Sequence, residues 1–159
     1  PIAVSYEWEP CDILKAIELY ESRNVKYIKK PGEDLNSILT GILQFKGRVH
    51  FEICPVITRD ELLQYNECTN NDYHKCVAKL IDSRILKGCR LWPNNYIAHD
   101  LLYGQRFYEN EYSRKEKMDF EKHLEELNQY DDNSDILKDI LLGIYANPVR
   151  NIKVRGISC

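Results

Sequence analysis

Four histidines, at positions 50, 74, 99 and 123, are where acid–base chemistry would have to begin in this chain. His50 stands between Val49 and Phe51, with Glu52 two positions on, so base and carboxylate share one face of a strand. A general base is conceivable there, and a plain hydrogen bond along that face is the simpler account. His74 and Cys76 have the residue types of a thiol nucleophile and its base. Two positions apart on a helix they point to different sides, and Cys76 fits better as an apolar position. His99 and Asp100 are helix neighbours that cannot face each other as a dyad, so they read as a buried hydrogen-bonded pair. Arg150, Lys153 and Arg155 could receive a phosphate from coenzyme A or a lipid head group, or simply be solvated. Tyr103, Phe107, Tyr108 and Tyr112 could touch lipid at an interface or pack between helices.

Six cysteines, at 11, 54, 68, 76, 89 and 159, include no C-x-x-C pair. Reduced thiols are expected, and no metal site: only His74 and Cys76 are close, at poor ligand spacing. A thiol enzyme using Cys76 or Cys54 is the weakest of the enzymatic readings.

These residues must be positioned by a chain of 159 residues, the size of one domain. Its composition, 43% hydrophobic and 30% charged, is globular. No apolar run reaches the roughly 18 residues that span a bilayer. Twenty-two basic against 25 acidic side chains leave no bulk positive charge, which argues against nucleic acid as a partner.

Ile2-Ala3-Val4 predicts a strand buried on both faces. Asp12 opens a helix with Ile13, Leu14, Ile17 and Tyr20 at helical spacing. Val25 to Lys30 is short and basic. Glu33 to about Gln44 predicts a helix with Leu35, Ile38, Leu39 and Ile42 on one face. Arg48 to Ile57 alternates, so Val49, Phe51 and Ile53 form a packed face and His50, Glu52 and Cys54 the less apolar one. Thr58 and Glu61 form a capping box. Asp72 caps a longer helix ending at Gly88, and Asn94 or Asn95 caps another through Tyr103. Ser113 starts a charged helix with a stripe of Phe120, Leu124 and Leu127. The last helix, from Asn133 or Ser134, ends before Pro148, and Ile152 to Val154 can extend as a strand. The class is α/β, with few strands at the N-terminal end followed by mostly helices.

Pro1-Ile2-Ala3-Val4-Ser5-Tyr6-Glu7 resembles the fourth conserved block of the glycerolipid acyltransferases, the lysophosphatidate acyltransferase group. Glu7-Trp8-Glu9-Pro10-Cys11-Asp12, Gly32-Glu33-Asp34, Thr40-Gly41 and Lys46-Gly47-Arg48-Val49-His50 are similar to a bacterial subgroup of such proteins. So are Ile81-Asp82-Ser83-Arg84-Ile85 and Leu91-Trp92-Pro93-Asn94-Asn95-Tyr96-Ile97-Ala98-His99-Asp100. The resemblance covers residues 1–102, the C-terminal part of an incomplete acyltransferase-like domain, and residues 103–159 would be a helical extension packed on it.

The resemblance implies transfer of a fatty acyl group from acyl-CoA or acyl-carrier protein to a lysophospholipid or related acceptor. No cofactor beyond that donor substrate is implied. Pro1, Ile2, Ala3 and Val4 would support the floor of the substrate pocket, and the parent protein would sit peripherally on the cytoplasmic face of the membrane. The family's H-x-x-x-x-D motif is absent: the fifth residues after the four histidines are Pro55, Lys79, Gly104 and Asn128. No catalytic residue is therefore assigned. The chain is expected to be a fragment, inactive alone, whose sheet edge near Pro1 favours self-association. The alternative is a non-catalytic helical binding module whose early strands join a partner's sheet.

Overall fold

The computed structural model describes residues 1–23 and 26–154, so Val25, Arg155 and Cys159 lie outside the described residues. The elements run β1 (Ile2–Tyr6), α1 (Asp12–Glu21), α2 (Glu33–Leu43), β2 (Val49–Ile53), α3 (Arg59–Leu63), α4 (Asn70–Gly88), α5 (Pro93–Tyr103), α6 (Arg114–Glu125) and α7 (Ser134–Val154). Short 3₁₀ helices occupy Glu109–Glu111 and Glu126–Asn133. The protein is α/β and mostly helical, with one two-stranded sheet among the described residues.

The chain forms two compact units. One holds Pro1–Ser5, Val49–Arg90 and the segment starting at Asn151; the other holds Tyr6–Arg48 and Leu91–Arg150.

In the first unit β1 and β2 are antiparallel, with the Cys54 amide donating to the Pro1 carbonyl at 3.1 Å. Helix α4 covers one face. Ala3 is fully buried there, His50 Nε2 lies 3.1 Å from the Gly88 carbonyl, and the Cys54 thiol points at the Arg84 carbonyl. The other face carries Ile2, Val4, Val49, Phe51 and Ile53, and all five are exposed. Two expectations are corrected here. β1 is buried on one face only, with Ile2 53% exposed, and the packed side of β2 is the His50–Cys54 side, leaving Phe51 59% exposed. The alternation identified two faces, and the single helix lies on the less apolar one. Gly88 makes this seating close: a Cβ there would stand 3.0–3.1 Å from Glu52, Ala3 and Cys54.

The Thr58–Glu61 capping box forms as the sequence predicts. Glu61 also pairs with Arg84, and its carboxyl is held down at about 2 by the Thr58 amide first and the Arg84 guanidinium next. Helix α4 is capped by Thr69, one turn ahead of the expected Asp72, whose amide donates to the Thr69 hydroxyl. Tyr73, Cys76, Val77, Leu80, Ile81 and Ile85 are half-buried, in keeping with the predicted stripe.

The second unit contains the main core, built from Ala16, Ile97, Ala98, Phe120, Leu124, Leu127, Leu137, Leu141 and Tyr145 with their neighbours. Helix α5 is capped by Trp92, with Pro93 in the first turn, where its missing N–H costs nothing. Asn95 acts from three positions further in, its Oδ1 accepting the Trp92 amide at 2.8 Å. Ser113 and Glu116 close a capping box on α6. Helix α7 runs straight through Pro148 to Val154, so the expected stop at the proline and the strand over 152–154 are both corrected. A proline inside a helix removes one hydrogen bond. Burial of Tyr145, Ala146 and Val149 around it holds the helix together. Helix α2 forms as predicted, yet none of its residues is buried.

Gly88→Ala is expected to force α4 off the sheet, at about 1–3 kcal/mol for an overpacked contact. A urea midpoint identical to wild type would contradict the seating of α4 described above.

Candidate functional site

Of the residues that carry the resemblance, Glu7 to Asp12, Lys46 to Arg48 and Leu91 to Asp100 lie in the second unit, while Pro1–Ser5, Val49, His50 and Ile81–Ile85 lie in the first. Lys46-Gly47-Arg48 makes a turn beneath Glu7 and Trp8. Gly47 has φ +62°, and a Cβ there would sit 2.5 Å from the Glu7 carboxylate and 2.9 Å from the Trp8 ring. Only glycine fits both constraints. The Arg48 guanidinium holds Glu7 through two hydrogen bonds, at 2.8 and 3.1 Å, and reaches Glu116 at 3.3 Å. It lies over the Trp92 ring at 5.0 Å. Burial disfavours the Glu7 carboxylate, and the Arg48 contacts outweigh that and lower its pKa. Asn94 Nδ2 donates to the Glu7 carbonyl at 2.7 Å.

Next to this cluster lies Asp12, the most buried acidic residue among the described residues. The Asp12 carboxylate, 2% exposed, accepts from three donors: the Ile13 amide (2.8 Å), His123 Nε2 (2.7 Å) and the Tyr145 hydroxyl (2.7 Å). The Tyr145 hydroxyl in turn accepts the Glu9 amide at 2.9 Å, and the Tyr145 carbonyl accepts Asn95 Nδ2 at 2.9 Å. His123 Nδ1 lies 3.1 Å from Glu126. Trp8 meets the His123 ring edge-on at 5.1 Å and stacks on Phe120 at 5.9 Å. A groove of about 510 Å³, lined by Trp8, Gln44, Phe45, Asp119, Lys122, His123 and Glu126, opens beside it.

The charges in this cluster follow from its contacts. Burial pushes the Asp12 carboxyl up, but the hydrogen bond and charge of His123, with the Tyr145 hydroxyl and Ile13 amide, bring it below its ordinary value. Burial likewise disfavours the His123 imidazolium, and Asp12 and Glu126 outweigh it and raise its pKa. Burial and the Asp12 charge drive the Tyr145 phenol well above the ordinary tyrosine value and raise Glu9. His123 thus lies between two carboxylates that favour its charged form. A general base needs a free ring nitrogen, and here each nitrogen has an acidic partner. The cluster serves structure: it ties the segment before α1 to α6 and α7.

The sequence-predicted candidates are scattered. His50 bonds chiefly to the Gly88 carbonyl, with Glu52 3.9 Å away. His74 packs edge-on against Tyr73. His99 Nδ1 is buried without a hydrogen-bond partner and 3.8 Å from Asp100, so the expected hydrogen-bonded pair is corrected. Asp100 instead accepts the Phe107 and Tyr108 amides and the Tyr112 hydroxyl, pinning the loop after α5. The aromatic group packs around His99, with Tyr103 at 4.7 Å and Tyr108 at 5.0 Å. Arg150 and Lys153 lie on α7, and Arg155 lies outside the described residues. The five described cysteines are free thiols. Pro1 and Ala3 support the covered side of the sheet, while Ile2 and Val4 lie on its open apolar face. Among the described residues no group of three or more His, Cys, Asp or Glu is placed to hold a metal ion, and no helix is long and apolar enough to cross a membrane.

Sequence reasoning missed His123 and Tyr145, which lie 111 and 133 positions from Asp12. No local signal connects them. Comparison with protein-family models, curated proteins and solved structures gives no match for this chain.

Asp12→Ala leaves His123 and Tyr145 without their acceptor and is expected to cost about 3–5 kcal/mol, read from chemical denaturation. The pH dependence has two limbs. His123 is raised above 6.5, so its contribution is full below that pH and is lost as pH climbs through the folded value. Asp12 is lowered below 3.8, so its contribution is present above that pH and is lost as pH falls through the folded value. In His123→Gln the alkaline limb should flatten; an unchanged alkaline limb would assign it to another group.

Proposed function

We propose that this chain is the C-terminal part of a glycerolipid or related O-acyltransferase. The parent protein moves a fatty acyl group from acyl-CoA or acyl-carrier protein to a lysophospholipid or related lipid acceptor, at the cytoplasmic face of a membrane. The observation that carries the reading is the open apolar face of the β1–β2 sheet. Its Ile2 and Val4 belong to the strand that resembles the fourth acyltransferase block, and with Val49, Phe51 and Ile53 they offer an apolar wall of the kind an acyl chain or lipid needs. Glu7 to Asp12, Lys46 to Arg48 and Leu91 to Asp100 support the same reading by meeting in shared contacts within residues 6–48 and 91–150.

The chain itself supplies binding surface and no base. It holds no H-x-x-x-x-D, and His123 is engaged at both ring nitrogens. The 159-residue chain is therefore inactive alone.

A second reading is favoured by one feature. Each strand of a two-stranded sheet is an edge strand, which suits a binding module that adds its strands to a partner's sheet. A second copy of this chain could occupy the same edge.

The test is an acyl-transfer assay on the product of the reading frame extended upstream of Pro1, with acyl-CoA and acyl-carrier-protein donors and a panel of lysophospholipids. Transfer is expected from the extended product, weakened about tenfold or more by Val4→Asp, and none from the 159-residue chain. An extended product that acylates none of these acceptors overturns the enzymatic reading in favour of the binding module.

A further inference from the structure

Cys68 lies in the loop between α3 and α4, and Cys76 stands in the second turn of α4. They form no C-x-x-C pair, so nothing local in the sequence joins them. The start of α4 is closely determined. The Cys68 amide donates to the Tyr65 carbonyl at 3.0 Å, and the next residue, Thr69, caps the helix by accepting the Asp72 amide at 3.3 Å. The Thr69 hydroxyl donates to the Asp72 carboxylate at 2.7 Å, and Lys75 pairs with the same carboxylate at 3.4 Å. This cap sets the residue just ahead of it against the helix, and the Cys68 and Cys76 thiols meet there as hydrogen-bond partners.

The other described cysteines are differently engaged. The Cys54 thiol is buried and points at the Arg84 carbonyl, and the half-buried Cys11 thiol donates to the Ser37 carbonyl. Cys89 is half-buried next to Gly88. Of the five, only Cys68 is exposed, and the thiol it touches, Cys76, is half-buried. A sulfur that solvent-borne reagents can reach, in contact with a second sulfur behind it, has both parts that thiol–disulfide exchange requires: one to attack and one to resolve. Desolvation of its sulfur first, and then Cys76 and Asp72, raise the Cys68 pKa, so the pair rests as two thiols near neutral pH.

We propose that Cys68 and Cys76 are a redox pair that closes to an intramolecular disulfide by exchange with a small disulfide, oxidised glutathione being the probe. The Cys68 thiol loses its proton to solvent and its sulfur attacks the glutathione disulfide. A Cys68–glutathione bond forms, the glutathione S–S bond breaks, and one glutathione thiolate leaves. Cys76 then loses its proton and attacks the Cys68 sulfur. The Cys68–Cys76 bond forms, the Cys68–glutathione bond breaks, and the second glutathione thiolate leaves. Two protein thiols are oxidised and one glutathione disulfide is reduced. The product ties the residue ahead of the Thr69 cap to the second turn of α4. Neither step uses an acyl donor or a lipid, so the proposal stands apart from the acyltransferase reading.

The test is a time course of the full chain with oxidised glutathione at mildly alkaline pH, with free thiols then blocked and the chain digested without reductant. Trypsin cuts after Arg59, Lys75 and Lys79, so the two sulfurs leave on separate peptides, Asp60–Lys75 and Cys76–Lys79. Mass spectrometry is expected to find these two peptides joined, and to find them apart after reduction. The joined pair should form about tenfold faster in the folded chain than in the chain unfolded in urea, because the fold holds the sulfurs together. In Cys76→Ser the exposed Cys68 should keep its glutathione, since nothing remains to displace it. A folded wild-type chain that accumulates glutathione on Cys68 without joining the two peptides overturns the proposal. So does a Cys68 joined chiefly to another cysteine or to a second chain, or a joining rate that unfolding leaves unchanged.

Discussion

A carboxylate removed from water must be met by donors or it will not stay ionised, and Asp12 is removed from water almost completely. Its three donors come from its own helix, from α6 and from α7, so satisfying one charge fixes three elements relative to one another. The Tyr145 hydroxyl completes the arrangement by accepting the Glu9 amide while donating to Asp12. Its carbonyl takes Asn95 from α5. Apolar stripes on α5, α6 and α7 would collapse on one another regardless, but a stripe tolerates rotation and sliding. The buried polar network does not, because each displaced donor leaves an unsatisfied group in a low-dielectric interior.

The motif residues beside this network are bound to one another in the same way. Glu7, Trp8, Gly47, Arg48, Trp92, Asn94 and Asn95 are joined by an ion pair, a cation–π contact, a close glycine turn and backbone hydrogen bonds. Arg48 is directed at Glu7 and Glu116, Asn94 at the Glu7 carbonyl, and Asn95 at the Trp92 amide and the Tyr145 carbonyl. Such residues act as scaffold: they present neighbouring surfaces in a fixed relation.

Two elements, the β1–β2 sheet and α2, expose the faces their sequences make most apolar. In a self-sufficient domain the apolar face of each element turns to the core, since burial contributes about 25 cal/mol per Å². Here α4 covers the His50–Cys54 side of the sheet, and Cys11 engages the polar side of α2. Local hydrogen bonds and close packing at Gly88 and Gly41 hold these seatings, and they leave the aliphatic sides exposed.

Much of the helical skeleton was legible in the residues. The Thr58–Glu61 and Ser113–Glu116 boxes, the stop at Gly88 and the stripe of Phe120, Leu124 and Leu127 are encoded within a few positions of where they act, because capping and helical periodicity operate over three or four residues. The local signals failed where packing overrode them: Pro148 did not end α7, and residues 152–154 stayed helical because the helix was already held by Tyr145, Ala146 and Val149. Periodicity also showed that β2 and α2 have an apolar side without saying where it points. The sequence by itself thus determined which elements form and which of their faces are apolar. Only the tertiary structure decided that those faces stay uncovered and that Asp12 meets His123 and Tyr145. Burial and pairing are settled by contacts more than a hundred residues apart, beyond the reach of any local rule.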